Sequence, residues 1–435
     1  MSMSTTSLPS YAPPGLGSSY TRIPSYTAEP RAFEQRLALN RGHPRPSGEF
    51  TKHSRSGGVS LRFPGQDRNA TLPVYGNAGV VEGVVEVAKP EGVHSVEVKV
   101  KGTLLLKEIA EGGAVNYELC LSRLSLWNKD RDAGSCPSSL PFVLTLPATF
   151  NDGKHDYPLP PTHEVHLSGL PGFRATVEYS VTATVDRGSL VKKAAATLMP
   201  KQNNNAVSTP FVYYPRTRPA APLPPPMIAS NKAPGVVESA DWRCFEAAIP
   251  ARASGVSDII SKLYIPASRV FCMSERIPFH LTLSSTAYSL AAFMPYGPTP
   301  SLLSPIDVRN TVVFGTKTDI WRISSIGNGR FRRAIDGPDF LSFAGEITIS
   351  EDVRIPGFKA GGLSIKDSIV LTMVPPDISK SPFDEFRCVV PIRLTTDPWT
   401  HDGSGDFAPS EYSVPSSEEE ARGPHPDLAD FRQES

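Results

Sequence analysis

The stretch Thr176-Val-Glu-Tyr-Ser-Val-Thr-Ala-Thr-Val-Asp186 decides the fold. Val177, Tyr179, Val181, Ala183 and Val185 alternate without a break with Glu178, Ser180, Thr182, Thr184 and Asp186. A period of two puts one set of side chains on a core and the other in water, which is the signature of a strand in a half-buried sheet and not of a helix. Val96, Val98 and Val100 repeat the pattern against Glu97, Lys99 and Lys101, and Cys388, Val390, Ile392 and Leu394 repeat it against Val389, Pro391 and Arg393. Further strands are predicted at 80–88, 115–127, 142–146, 270–283, 346–350 and 365–374. Many short strands divided by Gly/Pro turns, with no long amphipathic helix, predict an all-β chain of two tandem antiparallel, immunoglobulin-like β-sandwich domains.

Two domains also follow from length, because 435 residues exceed what one core usually holds. The boundary is marked by Tyr213–Met227, YYPRTRPAAPLPPPM, whose prolines impose an extended path of about 3.1 Å per residue. The predicted organisation is a disordered basic arm at 1–69, a sandwich at 70–212, a Pro-rich linker at 213–239, a second sandwich at 240–397 and an acidic disordered tail at 398–435. Residues 1–69 are rich in Ser, Pro, Gly and Arg, with too little apolar material to offset the entropy of ordering them. They carry nine Lys/Arg against four Asp/Glu, whereas residues 401–435 carry two against nine, so the ends are electrically complementary.

Composition excludes several functions. Lys plus Arg equals Asp plus Glu, at 44 each, so the excess positive charge that nucleic-acid binding requires is missing. Cys120, Cys136, Cys244, Cys272 and Cys388 are odd in number and form no CxxC pair, which fits a reducing compartment. No secretory signal and no run of roughly 18 apolar residues is present, so a cytoplasmic protein without a transmembrane segment is expected. His155, His163 and His166, with Asp156 and Glu164, form the densest set of potential metal ligands. The spacing falls one residue short of HExxH, and Pro158, Pro160 and Pro161 preclude the helix that motif needs. There is no GxSxG elbow and no phosphate-binding glycine loop, so no cofactor, no metal and no enzymatic activity are expected.

A resemblance to a known family adds to this reading. Pro73-Val-Tyr75-Gly-Asn-Ala-Gly79-Val-Val-Glu-Gly83-Val-Val85 resembles the opening strands of arrestin amino-terminal domains, and Leu140-Pro-Phe142-Val-Leu-Thr-Leu146-Pro147 resembles a later strand of the same domain. Leu263-Tyr-Ile-Pro266, Ile277-Pro278-Phe279-His-Leu281-Thr-Leu283 and Val390-Pro391-Ile392-Arg-Leu394 are similar to arrestin carboxy-terminal domains. The likeness spans about residues 72–397, and the wording of Tyr213–Pro219 is most like fungal arrestin-like proteins. It implies two arrestin-type sandwiches acting as a non-catalytic adaptor. The partners implied are cytoplasmic segments of membrane proteins, a ubiquitin ligase or trafficking adaptors, and endocytosis at the plasma membrane or endosomes is the implied setting. The PPxY motif of trafficking relatives is missing here; Leu72-Pro73-Val74-Tyr75 is a variant spelling that coincides with a predicted strand. A second reading is a structural scaffold subunit of a retromer-like or other stable complex.

Candidate binding residues are few. Arg330, Arg332 and Arg333, with Arg322 upstream, are expected on a hairpin whose tip is Gly327-Asn328-Gly329. A projecting basic loop would suit anionic lipid headgroups or phosphorylated tails, although solvated arginines would look the same. Lys192 and Lys193 stand where the resemblance would place a phosphate-sensing residue. Arg216, Pro219 and Pro222 have the R-x-x-P-x-x-P spacing read by an SH3 groove, although a plain spacer would also show it. Ser416 and Ser417 precede Glu418–Glu420 as candidate phosphosites, with the tail expected to fold onto basic residues.

Overall fold

The computed structural model describes residues 48–400, apart from 77–78, 110–112, 170–171, 188–204, 231–234, 294–305, 316–318, 375–378 and 380. Lys192, Lys193, Ser416 and Ser417 lie outside the described residues. The structure is all-β, in two mainly antiparallel sandwiches, each with one short parallel pairing.

The first sandwich begins with β1 (Gly48–His53), β2 (Val59–Gln66), β3 (Val74–Tyr75) and β4 (Val80–Val87). A long hairpin follows, β5 (Ser95–Glu108) and β6 (Ala114–Asn128), then β7 (Ser139–Thr145), β8 (Thr149–Asn151), β9 (Asp156–Pro158) and β10 (His163–Leu167). The deciding stretch is β11 (Phe173–Asp186), and β12 (Ala206–Tyr213) ends the domain. One sheet runs β1-β2-β4-β7; the other runs β3-β12-β11-β5-β6, with β10 also paired to β11. The alternation read from sequence is the burial pattern of β11: Val177, Tyr179, Val181, Ala183 and Val185 are buried. Tyr179 stands opposite Gly102 and Phe211, and its hydroxyl donates to the Pro160 carbonyl at 2.6 Å. A Cβ at Gly102 would lie 2.6 Å from that ring, so the glycine gives the tyrosine its room.

The predicted arm at 1–69 is corrected at its end. Residues 48–66 form β1 and β2, and Leu61 and Phe63 are fully buried in the first core. Val59-Ser-Leu61-Arg-Phe63 has the period of a strand, and averaging over a polar segment hid it.

The second sandwich comprises β13 (Trp242–Ile249), β14 (Ile259–Pro266), β15 (Val270–Cys272) and β16 (Ile277–Ser284), followed by a short helix α1 (Ala287–Leu290). It continues with β17 (Ile306–Gly315), β18 (Asp319–Asp336), β19 (Phe340–Ile349), β20 (Lys359–Ala360), β21 (Leu363–Met373) and β22 (Phe386–Thr395). The expected strand over 270–283 is thus two, divided by a turn at 273–276. The order β13-β14-β16-β19-β18-β17-β21-β22-β15 is one continuous sheet, and strands from both of its halves contribute to one core. The corner is β18. Its first half pairs with β17, its second half with β19, and a register shift opposite Val308/Arg309 marks the bend.

The two sandwiches share apolar packing. Val312 and Phe314 of β17, Ile320 of β18 and Leu363 and Ile365 of β21 belong to the core of the first sandwich. Phe314 stacks on Phe173 with ring centroids 4.8 Å apart and planes at 8°. Phe358 meets His163 edge-on at 5.7 Å. The sheet of the second sandwich therefore continues past its own core to cover one end of the first.

Candidate partner-binding surface

The second sandwich turns a basic sheet face outward. On β17 the inward side chains are Ile306, Val308, Val312 and Phe314, so Asp307, Arg309, Thr311 and Val313 face outward. The same alternation turns Lys366 of β21 outward, together with Arg387, Val389, Pro391 and Arg393 of β22. Register places Arg309 opposite Ser368, which in turn stands opposite Pro391. Four cations thus share a face with Asp307, which is ion-paired to Arg309 at 3.2 Å. Burial, then the neighbouring charge of Arg309, push Arg387 below the usual guanidinium range against the opposing charge of Glu385, and its Nε has no hydrogen-bond partner among the described residues. A guanidinium held so is poised for an anionic group from outside.

The basic patch read from sequence is not one loop. Gly327-Asn328-Gly329 is no hairpin tip; it lies inside β18, paired with both β17 and β19. A Cβ on Gly329 would lie 2.8 Å from the Glu346 carbonyl and 2.8 Å from Ile347 Cγ1, so the glycine serves close packing at the corner where a turn residue was expected. Arg330 and Arg332 are exposed on the strand, opposite Glu346 and Ala344, and Arg333 pairs with Asp336. Arg322 lies away from them, donating to the His166 carbonyl of β10 at 3.4 Å.

The linker is engaged with the second sandwich. Arg216 donates through Nε to Asp397 at 2.8 Å, and the Thr217 amide donates to Thr396 Oγ1 at 2.8 Å. The Asp397 amide returns a bond to the Thr217 carbonyl at 2.9 Å. Pro219 is buried, Pro222 is exposed and Leu223 packs on the second core. An SH3 groove would have to peel this segment away to read Arg216, Pro219 and Pro222 together. The Arg216 bond holds Asp397 below the usual carboxylate range against the opposing effect of burial.

Other residues singled out by sequence are placed as follows. His163 packs against Phe358 while His166 is exposed on β10, and burial lowers the His163 imidazole's pKa, with nearby Arg322 adding to it. Tyr75 is buried, with its hydroxyl donating to the Glu82 carbonyl at 3.2 Å, so the Leu72–Tyr75 spelling offers no free tyrosine. All five cysteines are free thiols, and burial pushes Cys120 and Cys388 up to about 11. Among the described residues no helix is long and apolar enough to cross a membrane. Sequence reading missed the face formed by Arg309, Lys366, Arg387 and Arg393, because the cations are spread over three strands between positions 309 and 393 and only register brings them together. No protein-family model and no curated protein sequence matches the chain.

Proposed function

We propose that this chain is a non-catalytic, arrestin-like adaptor that binds cytoplasmic segments of membrane proteins at the plasma membrane or endosomes. The observation that carries the reading is the outward face of β17, β21 and β22, where strand register gathers Arg309, Lys366, Arg387 and Arg393 on one side of the sheet. A cationic face on a sheet held from beneath by a core suits acidic or phosphorylated segments, because the sheet fixes the guanidinium spacing in advance of binding. Support also comes from two tandem sandwiches, which the arrestin resemblance implies, and from the strand motifs that carry that resemblance. Linking cargo to ubiquitin-dependent endocytosis rests on the resemblance alone. The test is capture by the full chain, with proximity labelling in cells that express it. Recovery of transporters or receptors with a HECT-type ligase or clathrin adaptors, lost on double substitution Arg309→Glu and Arg387→Glu, is the expected result. Recovery of one stoichiometric soluble complex would replace this reading with that of a scaffold subunit.

A further inference from the structure

Among the described residues, the first half of β18 is paired on one side only. Asp319–Gly329 lie against β17, whereas pairing with β19 starts at Gly327, and the Ser350 amide to the Ile326 carbonyl, at 2.8 Å, is the last link on that side. From Ile320 to Ser325 the second edge has no strand beside it among the described residues. Trp321 and Ile323 alternate on the outward face, 46% and 48% exposed. Between them Arg322 points to the opposite face, where its bond to His166 is a long contact with a carbonyl and no carboxylate pairs with it among the described residues.

Three of the other sheet edges, β1, β7 and β13, are blunted in ways that discourage strand addition. Glu49 and Lys52 lie on β1, Pro141 on β7, and Arg243 and Glu246 on β13. Here, two apolar side chains flank one cation. A second copy of this chain is a poor occupant, since antiparallel self-pairing that matches Trp321 with Ile323 sets Arg322 against its own copy, and like charges directly opposite destabilise a sheet.

We propose that this edge takes an extended peptide as an added strand, and that the peptide carries a carboxylate flanked on both sides by apolar residues. The backbone supplies affinity. The flanking side chains cover Trp321 and Ile323, and the carboxylate, one residue out of phase, meets Arg322 at the seam with β10. The inference rests on the adaptor reading only for the source of the peptide.

The test is fluorescence anisotropy of a labelled peptide with a Val-Glu-Val centre, titrated with the full chain. Replacing the peptide's Glu by Gln is expected to weaken binding roughly tenfold, as for loss of a charge-assisted bond. Arg322→Glu is expected to do the same and to be rescued by a Val-Lys-Val peptide. Trp321→Lys and Ile323→Lys are expected to abolish binding while leaving the melting temperature unchanged, because both side chains are half exposed. Equal affinity for the Glu and Gln peptides, failure of the charge swap, or undiminished binding by Ile323→Lys overturns the proposal, as does a dimer in sedimentation that Ile323→Lys dissolves. If Ile323→Lys captures membrane proteins from cells as well as the wild type does, the edge fails and the adaptor reading stands. If the peptides behave as expected and no membrane protein is captured, the edge stands and the adaptor reading fails.

Discussion

Phe314 belongs by sequence to the second sandwich and by packing to the first, and that makes Phe314→Ala informative. The side chain is fully buried, stacked on Phe173, and lies in the same apolar cluster as Leu104, Leu106 and Val177. Deleting a buried phenylalanine ring costs about 3–5 kcal/mol, of which the aromatic pair accounts for about 1 kcal/mol. That loss should fall on the first sandwich and on its docking, and leave the second core untouched. Phe279→Ala is the matched comparison, because Phe279 is equally buried but lies in the second core. Two thiols report on the sandwiches separately: Cys120 is buried in the first and Cys272 in the second. In urea with pulsed thiol labelling and mass spectrometry, the wild type is expected to expose both together. Phe314→Ala is expected to expose Cys120 at lower urea than Cys272, and Phe279→Ala the reverse. A Phe314→Ala protein that loses less than about 1 kcal/mol, or that exposes Cys272 first, would refute the claim that the second sheet completes the first core.

Three further outcomes follow. Burial pushes the Asp367 carboxyl up to about 6, against hydrogen bonds donated by Asn310 and Gly357; its native value lies above its unfolded one, so its contribution is full below about pH 4 and lost as pH rises through 6. Asp367→Asn removes this dependence, and in urea titrations from pH 7.5 down to 4.5 the wild type should gain on the variant by up to about 2 kcal/mol, the buried histidines cancelling in the difference. Gly329→Val forces a side chain against the Glu346 carbonyl and Ile347, and is expected to lower the unfolding free energy by about 1–3 kcal/mol in urea denaturation. Arg216→Ala removes a half-exposed ion pair worth about 1 kcal/mol or less, so global stability should barely change while limited elastase digestion cuts faster in the linker at Ala220-Ala221.

How far the sequence carried depends on whether a signal is local. The alternation in β5, β11 and β22 is legible because each of these strands has a clearly apolar inward face. β2 has the same period, but Arg62 and the polar residues around it dilute a composition taken over 69 residues. Gly327-Asn328-Gly329 was misread for a physical reason: glycine both permits turns and permits close packing, and only the strand partners on each side decide between them. The basic face is a further step removed, since the distance between Arg309 and Arg387 is a property of register, and the intervening sequence does not hold it. The linker's prolines give no sign that Asp397 and Thr396 fasten it.

The bend in β18 links these observations. A strand that stayed within one half of the sheet would be paired on both sides along its length; by turning the corner at Gly327–Gly329, β18 exchanges one neighbour for another and leaves Ile320–Ser325 with an open edge. The same departure carries Ile320 into the first core and sets Arg322 beside His166. The open edge is therefore located at the joint between the sandwiches as a consequence of how the second sheet closes. An unpaired edge flanked by exposed Trp321 and Ile323 carries a standing risk of aggregation. Arg322 at its centre counters that risk by setting like charges together in self-pairing, while leaving the edge open to a strand that brings a carboxylate.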